Sequence, residues 1–208
     1  MTGTIPRQVW TFWHSEEARP KIVQMCLRSW ARWNPTYKIE VLTPNTLSSY
    51  VPASLLVHTL FTDSWARLAD LARLWVLSVH GGVWMDASIL LGAPLESPGF
   101  IPETLDPWVD FVGFYLDAYT SKTRTWFCPV IESWCFACKP KSAFMACWCK
   151  EFGTLVMFES VDNYVATRRD HDMIDLQNID DQRSLICLPS PTCCITESAC
   201  RYHVSPRV

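Results

Sequence analysis

The sequence predicts a single α/β domain spanning residues 1–208, with a mostly parallel central sheet flanked by helices. Short runs of β-branched and aromatic residues alternate with stretches of helical periodicity along the chain. The clearest helical stretch stops at Gly81-Gly82 and is followed at once by another short apolar run. Strands joined through helices tend to pair in parallel, because such a crossover brings the chain back to the same end of the sheet.

The elements follow in order. Arg7 to Trp13 reads as a strand, opened by Pro6 and rich in aromatic and β-branched residues. Pro20 opens a helix in which Ile22, Met25, Cys26, Ser29, Trp30 and Trp33 recur at helical spacing, and Asn34-Pro35 ends it. Tyr37 to Leu42 is the second strand, and Thr43-Pro44-Asn45 turns into a helix that stops around Tyr50 to Pro52. From Ser64 to His80, Trp65, Leu68, Ala69, Ala72, Trp75, Val76 and Val79 trace an apolar helical face. Val83 to Asp86 is a short strand, and 110–115 and 130–137 are further strands. Ser142 to Phe152 is helical after Lys139-Pro140; a helix near 162–168 then gives way to loops.

Composition narrows the function classes. A chain of 208 residues with 49% hydrophobic and 19% charged residues builds one domain with one sizeable core. A net charge of −3 and the lack of a basic run argue against nucleic-acid binding. Eleven tryptophans supply core, and also flat faces for stacking on sugars or bases. The polar start and the charge-broken apolar stretches predict neither a signal peptide nor a membrane span, and so a soluble, cytoplasmic protein. The ten cysteines include Cys135-x-x-Cys138, Cys147-x-Cys149 and Cys193-Cys194. A zinc-organised interaction module would need a second C-x-x-C unit, so the cysteines are expected to be small buried hydrophobes rather than disulfides or ligands.

The chemistry concentrates between Ala66 and Ser88. Asp70 and Arg73 are three apart on a helix and share a face. Alone they would be a surface ion pair, but they lie in the most apolar helix, where an unpartnered charge is costly. One strand later the chain delivers Asp86, Ala87 and Ser88 to a strand end, where open α/β sheets bind ligands. Neither common phosphate loop is present, so a bound nucleotide must be held in another way.

Ile5 to Trp13, then Asn34-Pro35, Asp70-x-x-Arg73 and Gly81 to Ser88 together resemble the capsular polysaccharide synthesis and Och-type glycosyltransferases. The resemblance covers roughly the first ninety residues and rests on the order and spacing of these motifs. It implies a GT-A-like fold and transfer of a hexose-type sugar from a nucleotide diphosphate donor, a UDP-sugar first, to a glycan or glycoprotein hydroxyl, with retained configuration. It implies that Thr11, Phe12 and Trp13 hold the base, with Trp13 as the stacking face. Asp70 and Arg73 then meet the donor sugar and phosphates. Asp86, Ala87 and Ser88 stand where the family places an Asp-x-Asp motif for ribose and Mn²⁺ or Mg²⁺, with Ser88 replacing the second aspartate. That replacement leaves room for an inactive binder that keeps the fold.

The family completes its metal site near the carboxyl end, which points to His203, a residue equally readable as a tail histidine. An imidazole there favours Mn²⁺. Glu132 is expected on the acceptor side, orienting a hydroxyl or steadying an oxocarbenium ion; its plainer reading is an edge-strand glutamate. His171-Asp172 and Asp180-Asp181 are more simply solvated acidic loops.

Overall fold

The computed structural model describes residues 4–102, 105–115, 131–171 and 201–206. Six strands form one sheet: β1 (Gln8–Phe12), β2 (Lys38–Leu42), β3 (Gly82–Met85), β4 (Val109–Tyr115), β5 (Ile131–Cys138) and β6 (Arg201–Pro206). Their order across the sheet is β2-β1-β3-β5-β4-β6. β1 pairs in parallel with β2 and β3, and β4 in parallel with β6. β5 runs against both of its neighbours, β3 and β4. The sheet is therefore mostly parallel, as expected, with one reversed interior strand whose direction no sequence pattern encoded.

The helices among the described residues are α1 (Lys21–Trp33), α2 (Pro44–Leu47), α3 (Ala53–Leu56), α4 (Thr59–Thr62), α5 (Trp65–His80), α6 (Ala143–Gly153) and α7 (Val161–His171). A 3-10 turn follows α6 at Thr154–Met157. Local chemistry sets several boundaries. Thr43 caps α2 through a reciprocal capping box with Thr46. Ser64 accepts from the N–H of Arg67 at the start of α5, and Ser142 accepts from Met145 at the start of α6. Gly81 ends α5 at φ 65°, and a Cβ there would lie 2.5 Å from the Pro140 nitrogen. Both the backbone angle and the space demand glycine.

Each face of the sheet has its own core, because successive strand residues point to opposite sides. Trp10, Trp84, Phe136 and Cys138 point to the side of α5 and α6, where Leu71, Leu74, Leu77, Phe144 and Trp148 complete the cluster. Val9, Val83, Met85, Cys135 and Ala137 point to the side of α1, meeting Cys26, Trp30, Leu91 and Leu95.

The helical faces differ from the sequence expectation in two places. In α1 the buried residues are Val23, Cys26 and Trp30, while Ile22, Met25 and Trp33 are exposed. In α5 the buried face is broader, taking in Leu71, Leu74, Leu77 and Arg73, while Trp65 and Val79 are exposed. Helical spacing gives a periodicity, and packing against the sheet selects which side of it faces inward. The strand β6 lies in a region read from sequence as loops, since its six residues include no strong β alternation.

Candidate active site

The parallel strands β1 and β3 end side by side, and α5 packs over that end of the sheet. There Arg73 is the hub. Its Nη2 lies 2.8 Å from Asp70 Oδ1 and 3.6 Å from Asp86 Oδ1. Its Nη1 donates to the Ser133 carbonyl on β5, and its guanidinium carbon stands 5.3 Å from the centre of the Trp84 ring. Only 6% of Arg73 is exposed, so its charge is held by carboxylates, a carbonyl and an aromatic face rather than by water.

Asp86 is aimed by its backbone and by its neighbour two residues back. Its N–H donates to the Trp134 carbonyl at 2.8 Å, continuing the β3–β5 pairing one residue past the strand. Its carbonyl accepts from Ile89 at 3.0 Å, which turns the chain away from the sheet. Its Oδ1 accepts from Trp84 Nε1 at 2.9 Å. The side chains of Asp70 and Asp86 remain 23% and 37% exposed, so both carboxylates reach the open end of the sheet. Burial pushes the Asp70 carboxyl above its ordinary range; Arg73 opposes this, and the neighbouring Asp86 charge adds to it.

The end of β1 supplies two further polar atoms. Thr11 Oγ1 and Trp13 Nε1 are both buried and have no hydrogen-bond partner among the described residues. Such atoms cost about 1–3 kcal/mol each unless something meets them. Phe12 points instead into the core beneath α5. Trp13 continues outward into an aromatic run: its ring lies 5.2 Å from His14, which stacks on Trp65 at 5.5 Å and 19°. The His14 and Trp65 rings were not part of the sequence expectation, since their contact joins the loop after β1 to the start of α5.

The other expected residues fall as follows. Ala87 is buried and Ser88 exposed, directly after Asp86. Glu132 lies half-buried on β5, next to Ser133, at this same end of the sheet; β5 is an interior strand, so Glu132 is no edge-strand residue. The backbone of His203 pairs with Val112 on β6, and Val112 is in register with Ala137 and, through it, Val83. Three strand spacings of about 4.8 Å separate it from β3, or roughly 14 Å. The fold brings Asp70, Arg73 and Asp86 together and sets Thr11 and Trp13 at the adjoining end of β1, where strand alternation turns Thr11 to the α1 side of the sheet; it does not bring the His203 backbone to the Asp70–Arg73–Asp86 cluster. Asp172 and Asp180-Asp181 lie outside the described residues.

Cys26, Cys135, Cys138 and Cys149 are buried free thiols, as the sequence led one to expect. Burial pushes the thiols of Cys135 and Cys138 up strongly and that of Cys149 to about 11, so they stay protonated at neutral pH. Cys147 differs: it is disulfide-bonded, which an argument from redox compartment alone did not anticipate. Among the described residues no three His, Cys, Asp or Glu side chains converge as a metal cluster. No helix there is long and apolar enough to cross a membrane.

A family model described as "Capsular polysaccharide synthesis protein" matches residues 3–153, which include every element that builds this site. The chain belongs to the capsular polysaccharide synthesis family. The family match covers β1, α5 and β3, and with them Thr11, Trp13, Asp70, Arg73 and Asp86. The chain is 29% identical over 110 residues to glycosyltransferase afumC of Aspergillus fumigatus (strain CBS 144.89 / FGSC A1163 / CEA10). That alignment covers 47% of this chain and 28% of the relative, so the chain matches under a third of that protein's length. In fold it is similar to the PaToxG glycosyltransferase, with a TM-score of 0.54 at 10% identity, over 93% of this chain and 68% of that one.

Proposed function

We propose that the chain is a glycosyltransferase that takes a hexose-type sugar from a nucleoside diphosphate donor, a UDP-sugar first, and passes it to a glycan or glycoprotein hydroxyl. The observation that carries this reading is the Asp70–Arg73–Asp86 cluster at the end of the parallel strands β1 and β3. Family membership and the relative's name support the same reading.

Each residue then has a task. Trp13 offers a ring face and an N–H to the base, and Thr11 a hydroxyl. Asp70, half-shielded and tied to Arg73, accepts from sugar hydroxyls. Arg73 is too buried to be the main phosphate contact; it offsets the two carboxylates and fixes their separation. Asp86 and exposed Ser88 make an oxygen-only donor set with one carboxylate. That set suits Mn²⁺ or Mg²⁺ drawing its remaining ligands from diphosphate and water. The ion supplies positive charge against the departing diphosphate. Glu132 is placed toward the acceptor, where its carboxylate orients the attacking hydroxyl as the bond from the anomeric carbon to diphosphate breaks. The resemblance to retaining families favours retained configuration.

Titration calorimetry with UDP, GDP and their sugars, with and without Mn²⁺, tests the proposal. Metal-dependent binding of one donor, lost in Asp86→Ala while the fold is kept, is the expected result. Failure of a folded protein to bind any donor would overturn it. Binding without donor hydrolysis or transfer would favour an inactive sugar-nucleotide binder.

A further inference from the structure

The outer side of α1 gathers several exposed apolar side chains on one helix. Ile22, Met25 and Trp33 are 53%, 48% and 37% exposed, and Leu90, on the loop that leaves the site, is 59% exposed. These side chains do not lie at random. At 100° per residue, Ile22, Met25, Ser29 and Trp33 fall on one flank of the helix. Ser29 accepts from the Leu91 N–H at 3.0 Å and Trp30 donates to the Ile89 carbonyl at 2.7 Å, which ties the 89–91 loop to that flank. Leu90 therefore extends the apolar strip from the helix toward Ser88.

Cations border the strip. Lys21, Arg28 and Arg32 are all exposed, and α1 contains no acidic residue, although the whole chain carries a net charge of −3. Arg32 lies 5.7 Å over the Trp33 ring. An apolar strip bordered along one side by cations matches an interfacial helix, which lays its apolar side among acyl chains and its cations among anionic headgroups. A soluble polyanion would use the cations but would gain nothing from exposed Ile22, Met25 and Leu90.

We infer that this side of α1, together with Leu90, seats the protein on an anionic lipid surface, with the open end of the sheet beside that surface. The inference stands on the helix and its neighbouring loop and does not depend on the donor reading.

Co-sedimentation of the chain with phosphatidylcholine vesicles, with and without phosphatidylglycerol, tests it. Binding is expected only with phosphatidylglycerol, and it should fall steeply with added salt. Removing two cations in Arg28→Gln/Arg32→Gln should lower the partition coefficient roughly 30-fold. Replacing the apolar pair in Ile22→Ser/Met25→Ser should lower it roughly 10-fold or more, with an unchanged melting temperature, since both side chains are exposed. Three outcomes would overturn the inference. One is no sedimentation of folded wild type with any vesicle. Another is vesicle binding that neither double variant weakens. The third is self-association without vesicles that Ile22→Ser/Met25→Ser abolishes, which would make the strip a contact between copies.

Discussion

The indole of Trp84 donates to Asp86 Oδ1 at 2.9 Å while its ring lies beneath the Arg73 guanidinium at 5.3 Å. One buried side chain thus fixes the direction of the carboxylate and the height of the cation that faces it. Strand geometry explains why this works: Asp86 continues the extended run of β3 by one residue, and residues two apart along it point to the same side, so Trp84 and Asp86 both face α5.

Trp84→Phe keeps a ring under Arg73 and removes the donor. Asp86 then loses one hydrogen bond to a charged group, worth about 1.5–3 kcal/mol. Metal-dependent donor affinity should fall by roughly 10-fold or more by calorimetry, and the melting temperature should fall as well, since the indole fills core space that the smaller ring leaves empty. Unchanged affinity would show that Asp86 is aimed by its backbone alone.

Arg73 is buried against two carboxylates, so removing its charge strands both. Arg73→Met should destabilise the fold by about 3–5 kcal/mol in urea titrations. Arg73→Lys should fall between Met and wild type, because one ammonium cannot meet Asp70, Asp86 and the Ser133 carbonyl with the same fork.

Asp70 carries a carboxyl raised above its ordinary value of 3.8, chiefly by burial. A folded carboxyl that holds its proton more tightly than the unfolded one favours the fold at low pH. Its contribution is lost as pH rises from that value through the raised folded one. Asp70→Asn removes this dependence. The melting temperature of Asp70→Asn relative to wild type should therefore rise as pH climbs from 3.8, then level off. A difference independent of pH would place the Asp70 charge in water.

Thr11 Oγ1 is buried without a partner among the described residues, so their packing gains nothing from the hydroxyl. Thr11→Val should leave stability unchanged or raise it slightly. Donor affinity should drop by roughly 3- to 10-fold, the worth of one hydrogen bond. A loss of stability with unchanged affinity would make Thr11 a structural residue.

Gly81→Ala should be costly through the backbone. The residue holds φ at 65° and an added Cβ meets the Pro140 nitrogen at 2.5 Å. A loss of more than about 1 kcal/mol is expected by thermal or urea unfolding. Because Gly81 links α5 to β3, donor affinity should fall along with stability.

Much of this was legible in the sequence because local rules are strong in this chain. Pro20 and Asn34 bound α1 where expected, and Ser64 and Gly81 bound α5. The i,i+3 spacing put Asp70 and Arg73 together, since that pair is local. The short α3 and α4 carried too few residues to show a period.

What the sequence by itself determined is the order of the longer elements through α7, the strand end that carries Asp86, and the helix that carries Asp70 and Arg73. Only the tertiary structure decided that β5 runs antiparallel, that Trp84 aims Asp86, that Ser133 meets Arg73, and that His203 pairs three strands away from β3. It also decided that Ile22 and Met25 face outward rather than into the core. The physical reason is range. Caps, turns and helical pairs are settled within a few residues, whereas strand order, strand direction and the buried side of a helix are settled by what packs against them from far along the chain.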